Sequence, residues 1–387
     1  MISGHKLRMA YRVIAQFPSF LTFMVLGFVP ALRARSAKNP WVISGHKGRI
    51  YEDNCRALHE YITSNTDQAI IWISSSDKLT QKLRQKGHRV LTKHSFAARR
   101  AILSAPVLIY SHGEDDLDSF MILWRKVLGV RFLLRHGLTH LKGPKIKQSK
   151  LFLTDFDWML ASSNAERDNF RKFLPESMRE RVVLGGGAHL DRFVRLKGCQ
   201  PERLIFYFPT HRESVVGRIT LRQNIEEILS SKLISNWLRA TGYKFAIGRH
   251  INSNYSELFD ECGDIRLVEP EAVVDYMLKA ELFISDYSAL LSTYLLLNRP
   301  CLFFPYDLEA YASLRHFYCN YESFCYGSAV YTVAELVDYI LRERWKENED
   351  PHIARRESLI RRFFSYSDPR FAERTYKTIA LKVSRLE

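Results

Sequence analysis

Four short segments of this 387-residue chain place polar side chains directly after an apolar run. They are Arg135-His136-Gly137, Thr210-His211-Arg212, Arg249-His250 and Ser285-Asp286-Tyr287-Ser288. In an open α/β sheet, ligands bind beyond the carboxyl ends of the strands, so these segments are candidates for chemistry. Histidine exchanges a proton near neutral pH, arginine pairs with phosphate, and a helix start offers free backbone N–H groups to phosphate oxygens. The combination predicts a site for a substrate that carries a diphosphate.

Each of these features also has a purely structural interpretation. A single histidine at a strand end is more often a hydrogen-bonded or surface residue than a catalyst. Asp286 or Ser288 would serve equally well as the N-cap of the helix that follows. The same pattern recurs at several strand ends, which favours the chemical interpretation, and a capping residue can also bind phosphate.

The elements that would position these residues are short apolar runs alternating with polar, amphipathic stretches. In the first half the runs include WVISG (41–45), AIIWISS (69–75), VLIYS (107–111), VRFLLRHG (130–137) and WMLASS (158–163). A second series contains RLIFYFPT (203–210), YKFAIGRH (243–250), ELFISDYS (281–288) and PCLFFPYD (300–307). Strands that alternate with helices predict parallel sheets, and therefore an α/β fold. Two such series predict a GT-B-like protein with two Rossmann-like lobes, a cleft between them and C-terminal helices.

The boundary between the two series lies near Cys199 and Pro201. We therefore expect one lobe over residues 39–200 and a second lobe with the C-terminal helices over residues 201–387. Residues 1–38 form a separate N-terminal segment.

This N-terminal segment contains an apolar run from Phe17 to Leu32 with basic residues on both sides. The run is shorter than the ~20 residues that a spanning helix needs, and Pro18 and Pro30 interrupt it. The charged sequence that follows fits a signal-peptide cleavage site poorly. We predict that residues 1–38 attach peripherally to an anionic membrane surface; the alternative is a helix buried in the core.

Composition limits the classes of partner. Lys and Arg outnumber Asp and Glu by 57 to 42, which gives a net charge of +15 and favours polyanionic or phosphorylated partners. Nucleic acid is disfavoured, because the basic residues are spread along the chain and most aromatic residues lie in apolar runs. The six cysteines form no CxxC pair, which indicates reduced thiols and a cytoplasmic chain. Neither a metal nor a cofactor is predicted.

Residues 276–321 resemble the C-terminal signature of the CDP-glycerol glycerophosphotransferase family, whose members build teichoic acids and similar capsule polymers. FISDYSALLSTYLLLNRPCLFFPYDLEAY is similar to that family's apolar strand, T/S-D-Y-S-S, helix, and proline-led strand ending in Y-D-L-E-x-Y. Other segments resemble family motifs in the right order. Arg135-His136-Gly137 with Lys142 resembles the family's W-H-G-x-x-x-K, and GGGAHLDRF resembles its G-x-P-R-x-D. YFPTHRES resembles its Y-x-P-T-x-R-D, and Gly248-Arg249-His250 resembles the segment that carries its histidine. The resemblance runs from Trp41 to about Leu336.

The resemblance implies transfer of glycerol phosphate from CDP-glycerol to a surface glycan or lipid-linked acceptor, with release of CMP, at the cytoplasmic face of the membrane. His136 would be the general base for the acceptor hydroxyl, and His250 would stabilise the donor pyrophosphate or the departing CMP. Residues 39–200 would then form the acceptor-side lobe, in which Lys142 and Asp191 are expected to bind the acceptor, and residues 201–387 would form the donor-binding lobe. The expected donor-binding residues are Thr210, Arg212, Arg249, Ser285, Asp286, Ser288, Asp307 and Glu309.

The chain departs from the family pattern at Ala289, at Thr293 and at residues 326–328. CDP-ribitol, or another nucleotide-activated donor, therefore stays open. A second alternative is a GT-B glycosyltransferase that takes a sugar from a nucleotide-sugar donor, which would release a nucleoside diphosphate instead of CMP.

Overall fold

The computed structural model describes residues 16–138, 140–145, 156–253, 255–259, 263–346 and 350–384. The strands are β1 (Trp41–Ile43), β2 (Ile70–Ser74), β3 (Val90–Thr92), β4 (Val107–Tyr110), β5 (Val130–Leu133), β6 (Lys142–Lys145), β7 (Trp158–Ala161), β8 (Val182–Leu184), β9 (Glu202–Phe208), β10 (Lys244–Gly248), β11 (Ile265–Val268), β12 (Ala280–Ser285), β13 (Cys301–Phe303), β14 (Arg315–Phe317) and β15 (Ser328–Ala329).

The helices are α1 (16–26), α2 (Phe28–Arg33), α3 (Asp53–Asn65), α4 (Asp77–Gln85), α5 (Phe96–Ser104), α6 (Met121–Trp124), α7 (Asn164–Phe173), α8 (Glu176–Arg179), α9 (Asp191–Leu196), α10 (Val215–Ser230), α11 (Lys232–Thr241), α12 (Val273–Lys279), α13 (Ala289–Tyr294), α14 (Leu308–Ala312), α15 (Tyr321–Phe324), α16 (Val333–Leu341), α17 (Ile353–Phe363) and α18 (Phe371–Ser384).

The chain divides into two compact units. Unit 1 comprises residues 1–136, 149–191 and 370–387, and unit 2 comprises residues 137–148 and 192–369. The predicted α/β class with two lobes of the GT-B type is confirmed, since each unit is built on its own parallel sheet.

In unit 1 the described strands form a seven-stranded parallel sheet with the order β3-β2-β1-β4-β5-β7-β8. Successive residues of β1 enter different cores: Val42 packs on one face of the sheet, while Trp41 and Ile43 pack on the other. Both faces are therefore covered, as is usual for a parallel sheet, and this explains why its strands read as continuous apolar runs.

In unit 2 the described strands form a six-stranded parallel sheet with the order β11-β10-β9-β12-β13-β15. Residues of β9 and β10, such as Tyr207 and Ile247, pack with Leu336 and Ile340 of α16 in one apolar core. A small antiparallel ladder joins β6 to β14, with Lys142 opposite Phe317.

The two units do not have the same residue boundaries as the two predicted lobes. Residues 137–148 and 192–200 belong to unit 2, and the C-terminal helix α18 belongs to unit 1. The side chains of Ala372 and Ile379 on α18 enter the same core as Trp41 and Ile43 of β1. The sequence does not show that the chain returns to unit 1, because the position of α18 depends on which apolar surface its own apolar side chains pack against.

Helices α1 and α2 lie on unit 1 with two different faces. Phe20, Phe23 and Ala31 are buried in a cluster with Phe120 and Trp124. The opposite face is exposed: the exposed fraction is 78% for Val25, 65% for Leu26 and 52% for Val29. Within the described part of the chain, no helix has both the length and the apolar character needed to cross a bilayer.

Candidate functional site

Three adjacent strands of unit 1 each deliver a histidine beyond their carboxyl ends. His46 follows β1, His112 follows β4, and His136 follows β5. The rings of His112 and His136 are stacked, with centroids 3.9 Å apart and planes 8° apart, and the ring of His46 lies 4.5 Å from that of His112. Because parallel strands end at the same edge of a sheet, these residues meet although they are distant in sequence. We call them the histidine cluster.

The turn that carries His136 has an unusual backbone. Arg135 and Gly137 both have a φ of +61°, a left-handed conformation that is costly for a residue with a side chain. The side-chain amide of Asn54, at the start of α3, donates a hydrogen bond of 3.0 Å to the carbonyl of Arg135. The carbonyl oxygen of the same amide accepts from the backbone N–H of His189 at 3.2 Å. Asn54 therefore holds the turn in place from a buried position.

A buried carboxylate, Asp116, organises the other two histidines. Its oxygens accept hydrogen bonds from the backbone N–H groups of Ser111 (2.9 Å), His112 (2.8 Å) and Lys47 (2.7 Å). Burial alone would raise the pKa of Asp116, but these bonds and the interaction with the His112 imidazole outweigh it and lower the pKa to about 2. Asp116 is therefore negatively charged at neutral pH, and it fixes the loops after β1 and β4.

The loops after β1 and β4 also determine the surroundings of the His46 and His112 rings. The backbone N–H of His46 donates to Nδ1 of His112 at 3.3 Å, which links the loop after β1 to the loop after β4. Burial, and then the charge of His112, lower the pKa of His46 to about 4, against the opposing effect of Asp53 and Asp116. His46 is therefore neutral at physiological pH.

The histidine cluster is suited to proton transfer. Neutral imidazole accepts a proton from a hydroxyl group near neutral pH. Within the described residues, no group of three or more His, Cys, Asp or Glu side chains is arranged to hold a metal ion. In keeping with this, His112 and His136 face each other with their ring planes and not with their nitrogen lone pairs.

In unit 2, Arg212 is the centre of a second group of polar residues. Its Nε and Nη2 donate to the two oxygens of Asp307 at 2.7 and 2.8 Å, and Nη2 lies 2.8 Å from Asp286. Its Nη1 donates to the carbonyl of Thr210 at 2.6 Å. The guanidinium also lies 5.0–5.3 Å from the ring centroids of Tyr306, Tyr287 and Tyr311. We call Arg212, Asp286 and Asp307 the arginine cluster.

Arg212 is 3% exposed and its guanidinium nitrogens all bond to protein oxygens. Burial alone would lower the pKa of Arg212, but Asp286 and Asp307 raise it. The arrangement gives Arg212 a role in fixing the two carboxylates. This differs from the sequence-based prediction, in which Arg212 itself would hold the donor phosphates.

The other residues predicted to bind the donor surround this cluster. The hydroxyl of Ser285 donates to the carbonyl of Phe208 at 2.6 Å, and Asp286 accepts from the backbone N–H of Thr210 at 2.9 Å. Ser288 caps α13 by accepting from the N–H of Leu290 at 3.2 Å. The hydroxyl of Thr210 is buried without a hydrogen-bond partner among the described residues, and so remains available to a ligand.

His250 and Arg249 lie at the end of β10, next to β9 in the sheet. The ring of His250 is 5.4 Å from that of His211, at an angle of 18°. Arg249 pairs with Glu269. Glu309 is exposed in the first turn of α14. The structure therefore brings His250, Arg212, Asp286 and Asp307 to the carboxyl ends of four adjacent strands, β10, β9, β12 and β13.

The two residues predicted to bind the acceptor lie in different units, Asp191 in unit 1 and Lys142 in unit 2. Lys142 belongs to unit 2, on the β6–β14 ladder, and not to the unit that carries His136. Asp191 caps the C-terminal helix α18, since its carboxylate accepts from the backbone N–H groups of Phe371 (2.6 Å) and Ala372 (3.2 Å). That capping role accounts for Asp191 without a ligand.

Sequence reasoning missed His46, His112 and Asn54. The signal was present for the two histidines, because His46 follows the run WVIS and His112 follows VLIY, as His136 follows VRFLL. Asn54 could not be found this way, since its importance comes from hydrogen bonds to residues about 80 and 135 positions away.

Two parallel-sheet units with polar residues gathered at the carboxyl ends of their strands are the architecture of the GT-B class. The family model for CDP-glycerol:poly(glycerophosphate) glycerophosphotransferase matches residues 188–381, and this chain belongs to that family. The arginine cluster lies wholly within the matched residues.

Individual relatives are similar to this chain in different regions. The teichoic acid ribitol-phosphate polymerase TarK of Staphylococcus aureus is 31% identical over 34% of this chain, which corresponds to only 23% of TarK. The chain thus spans about a quarter of that relative. A teichoic acid glycerol-phosphate transferase of the same species is 22% identical over 93% of this chain and 96% of the relative.

Among solved structures, a variant of the wall teichoic acid polymerase TagF soaked with CDPG has a similar fold. The TM-score is 0.68 at 17% identity, and the superposition covers 97% of this chain and 99% of that chain. At this identity the similarity shows the fold alone.

Proposed function

We propose that this chain transfers a polyol phosphate, glycerol phosphate in the first instance, from a CDP-activated donor to a surface glycan or lipid-linked acceptor. The product would belong to a teichoic acid or a capsule polymer. The observation that carries the proposal is the family match over residues 188–381, which contains His250, Arg212, Asp286 and Asp307. Similarity to a glycerol-phosphate transferase over nearly the whole of both chains supports it.

In the proposed reaction, an acceptor hydroxyl oxygen attacks the β-phosphorus of CDP-glycerol. The bond from that oxygen to phosphorus forms, and the bond from the β-phosphorus to the bridging oxygen breaks, so that CMP leaves. His136 takes the proton of the hydroxyl group through a ring nitrogen. Stacking against His112 orients the His136 ring, and Asn54 holds the turn that carries His136. Most of the rate would come from positioning and charge neutralisation.

We assign the donor to unit 2 and the acceptor side to unit 1. Thr210, Ser288 and His250 offer a free hydroxyl, a helix start and an imidazole to the donor phosphates, while Arg212 holds Asp286 and Asp307 in place. Ser285, Arg249 and Glu309 complete the donor side. A fixed constellation of this kind lowers the cost of organising the site during the reaction.

Ribitol phosphate is the second candidate for the transferred group, because TarK, which is 31% identical to this chain over 34% of its length, is a ribitol-phosphate polymerase. Ala289 and Thr293, which depart from the family pattern, lie on α13, the helix that Ser288 caps.

The proposal is tested with purified enzyme, a lipid-linked glycan acceptor, and CDP-glycerol, CDP-ribitol or a UDP-sugar in separate reactions. We expect CMP to be released from CDP-glycerol, and only when acceptor is present. Faster release from CDP-ribitol would change the assigned polyol. Turnover only with the UDP-sugar, with UDP as product, would overturn the proposal in favour of a glycosyltransferase.

We further propose that the chain acts at the cytoplasmic face of a membrane, attached through the exposed apolar face of α1 and α2. Leu21, Val25, Leu26 and Val29 are exposed on these helices, and Leu123 of α6 is exposed close to the cluster that buries their other side. Basic residues flank the segment, which suits an anionic lipid surface.

A further inference from the structure

The ammonium group of Lys142 is directed toward the arginine cluster by the ladder on which it lies. Lys142 of β6 is paired with Phe317 of β14, and paired residues of an antiparallel ladder project on the same face. The ring of Phe317 lies 6.2 Å from the rings of Tyr287 and Tyr311. Those two rings stack on each other at 4.0 Å and flank the Arg212 guanidinium.

The charges around Lys142 are already paired with one another. Asp286 and Asp307 bind Arg212, and Arg315 pairs with Glu213 at 3.0 Å. Among the residues that the structure describes, none forms a hydrogen bond or an ion pair with the Lys142 ammonium. Its three N–H donors are therefore available to a ligand.

Lys142 is partly exposed, but its charge lies within this crowded region. Burial, and then the positive charge of Arg315, lower its pKa to about 8. An ammonium group that is desolvated and unpaired favours an incoming anion with several acceptor oxygens. Phosphate is such an anion.

We propose that Lys142 binds a phosphate group of the nucleotide donor, and that it belongs to the donor side of the site and not to the acceptor side. This inference rests on the proposed function. It departs from the sequence-based expectation because Lys142 lies in unit 2, on the same face as Phe317 and beside the arginine cluster.

A lysine at this place also makes donor binding depend on pH. Because the pKa of Lys142 is lowered to about 8, part of the free enzyme carries a neutral Lys142 near that pH. A bound phosphate raises the pKa of the ammonium group, so the enzyme takes up protons on binding at that pH. An arginine would bind the same phosphate without this proton uptake, because it stays charged at pH 8.

The test compares Lys142→Gln, Lys142→Arg and wild type, with Lys244→Gln as a matched control on the exposed end of β10. CDP, UDP and inorganic pyrophosphate are titrated by calorimetry at pH 8 in two buffers of different ionisation enthalpy. Cytidine binding is followed by ligand-observed NMR, and the KM for the acceptor is measured separately. Thermal unfolding shows whether each variant is folded.

We expect Lys142→Gln to weaken binding of CDP and pyrophosphate roughly 10- to 100-fold, with cytidine binding and the acceptor KM unchanged. Lys142→Arg keeps CDP binding within a few-fold of wild type but abolishes proton uptake. Lys244→Gln behaves as wild type.

Unchanged CDP and pyrophosphate binding in Lys142→Gln would overturn the inference, as would a rise in the acceptor KM alone, which would return Lys142 to the acceptor. Equal weakening of cytidine would indicate a structural role and would also overturn it. Failure of the proposed function is distinguishable, because wild type would then bind pyrophosphate through Lys142 and yet show no preference for CDP over UDP.

Discussion

The imidazole of His112 lies flat against that of His136, with ring centroids 3.9 Å apart and an angle of 8° between the planes. His112 is itself fixed through its backbone N–H, which Asp116 accepts at 2.8 Å. His136 is exposed, so its ring edge is accessible while one of its faces is covered. This contact gives a surface histidine a defined orientation, which proton transfer to a positioned base requires.

His136→Gln keeps a polar side chain but removes the proton acceptor. We expect transfer to fall by roughly two to four powers of ten while CDP binding stays within a few-fold of wild type. Steady-state rates and donor titrations measure the two effects. The matched control is His316→Gln, at an exposed histidine of unit 2. Wild-type turnover in His136→Gln would remove His136 from the mechanism and direct attention to His46 and His112.

Asp116→Asn tests the carboxylate that organises the histidine cluster. The pKa of Asp116 is lowered from 3.8 to about 2 in the folded protein, so it contributes stability above pH 4 that is lost as the pH falls toward 2. We expect the variant to lose about 2 kcal/mol in the free energy of unfolding at pH 7. Urea denaturation at pH 7 and pH 3 should show a difference that narrows in acid. A constant difference would mean that the carboxylate charge is not what stabilises these loops.

Arg212→Lys keeps the positive charge but cannot bind both oxygens of Asp307 together with Asp286 and the carbonyl of Thr210. We expect a lower thermal midpoint and donor binding weakened by 10-fold or more, with smaller losses than in Arg212→Ala, which leaves buried Asp286 without its cation.

Ser288→Ala, which removes the cap of α13, should cost about 1 kcal/mol in the free energy of unfolding. Unaltered donor affinity in Arg212→Ala and Ser288→Ala would refute the assignment of the donor to unit 2.

Val25→Ser with Leu26→Ser tests the proposed membrane surface without disturbing the core. Deletion of residues 1–38 would expose Phe120 and Trp124, which Phe20 and Phe23 cover, so point substitutions are the cleaner test. We expect binding to anionic vesicles to weaken roughly 10-fold or more, because less apolar surface enters the interface. Val215→Ser with Val216→Ser, exposed on unit 2, is the control. Unchanged cosedimentation would leave the exposed face without a membrane role.

Much of the fold could be predicted from the sequence because the strands of both sheets are buried on two faces and read as apolar runs. The polar residues after those runs marked His136, Arg212 and Asp286, since parallel strands deliver such residues to one edge. The sequence could not show that α18 returns to unit 1, because that depends on packing between distant segments. Nor could it show that Asp191 caps α18 or that Lys142 lies on a ladder with β14. These are long-range pairings with no local pattern.

The most direct test of the proposed reaction follows the β-phosphorus of the donor. Wild-type enzyme is incubated with CDP-glycerol labelled with ³²P at the β-phosphate and with a lipid-linked acceptor, and the products are separated. We predict that the label moves to the acceptor in step with release of unlabelled CMP, and that His136→Gln slows both together. Label that remains on CDP while the acceptor is extended would contradict the proposed reaction. The enzyme would then break the bond between glycerol and phosphate and not the bond between the two phosphates.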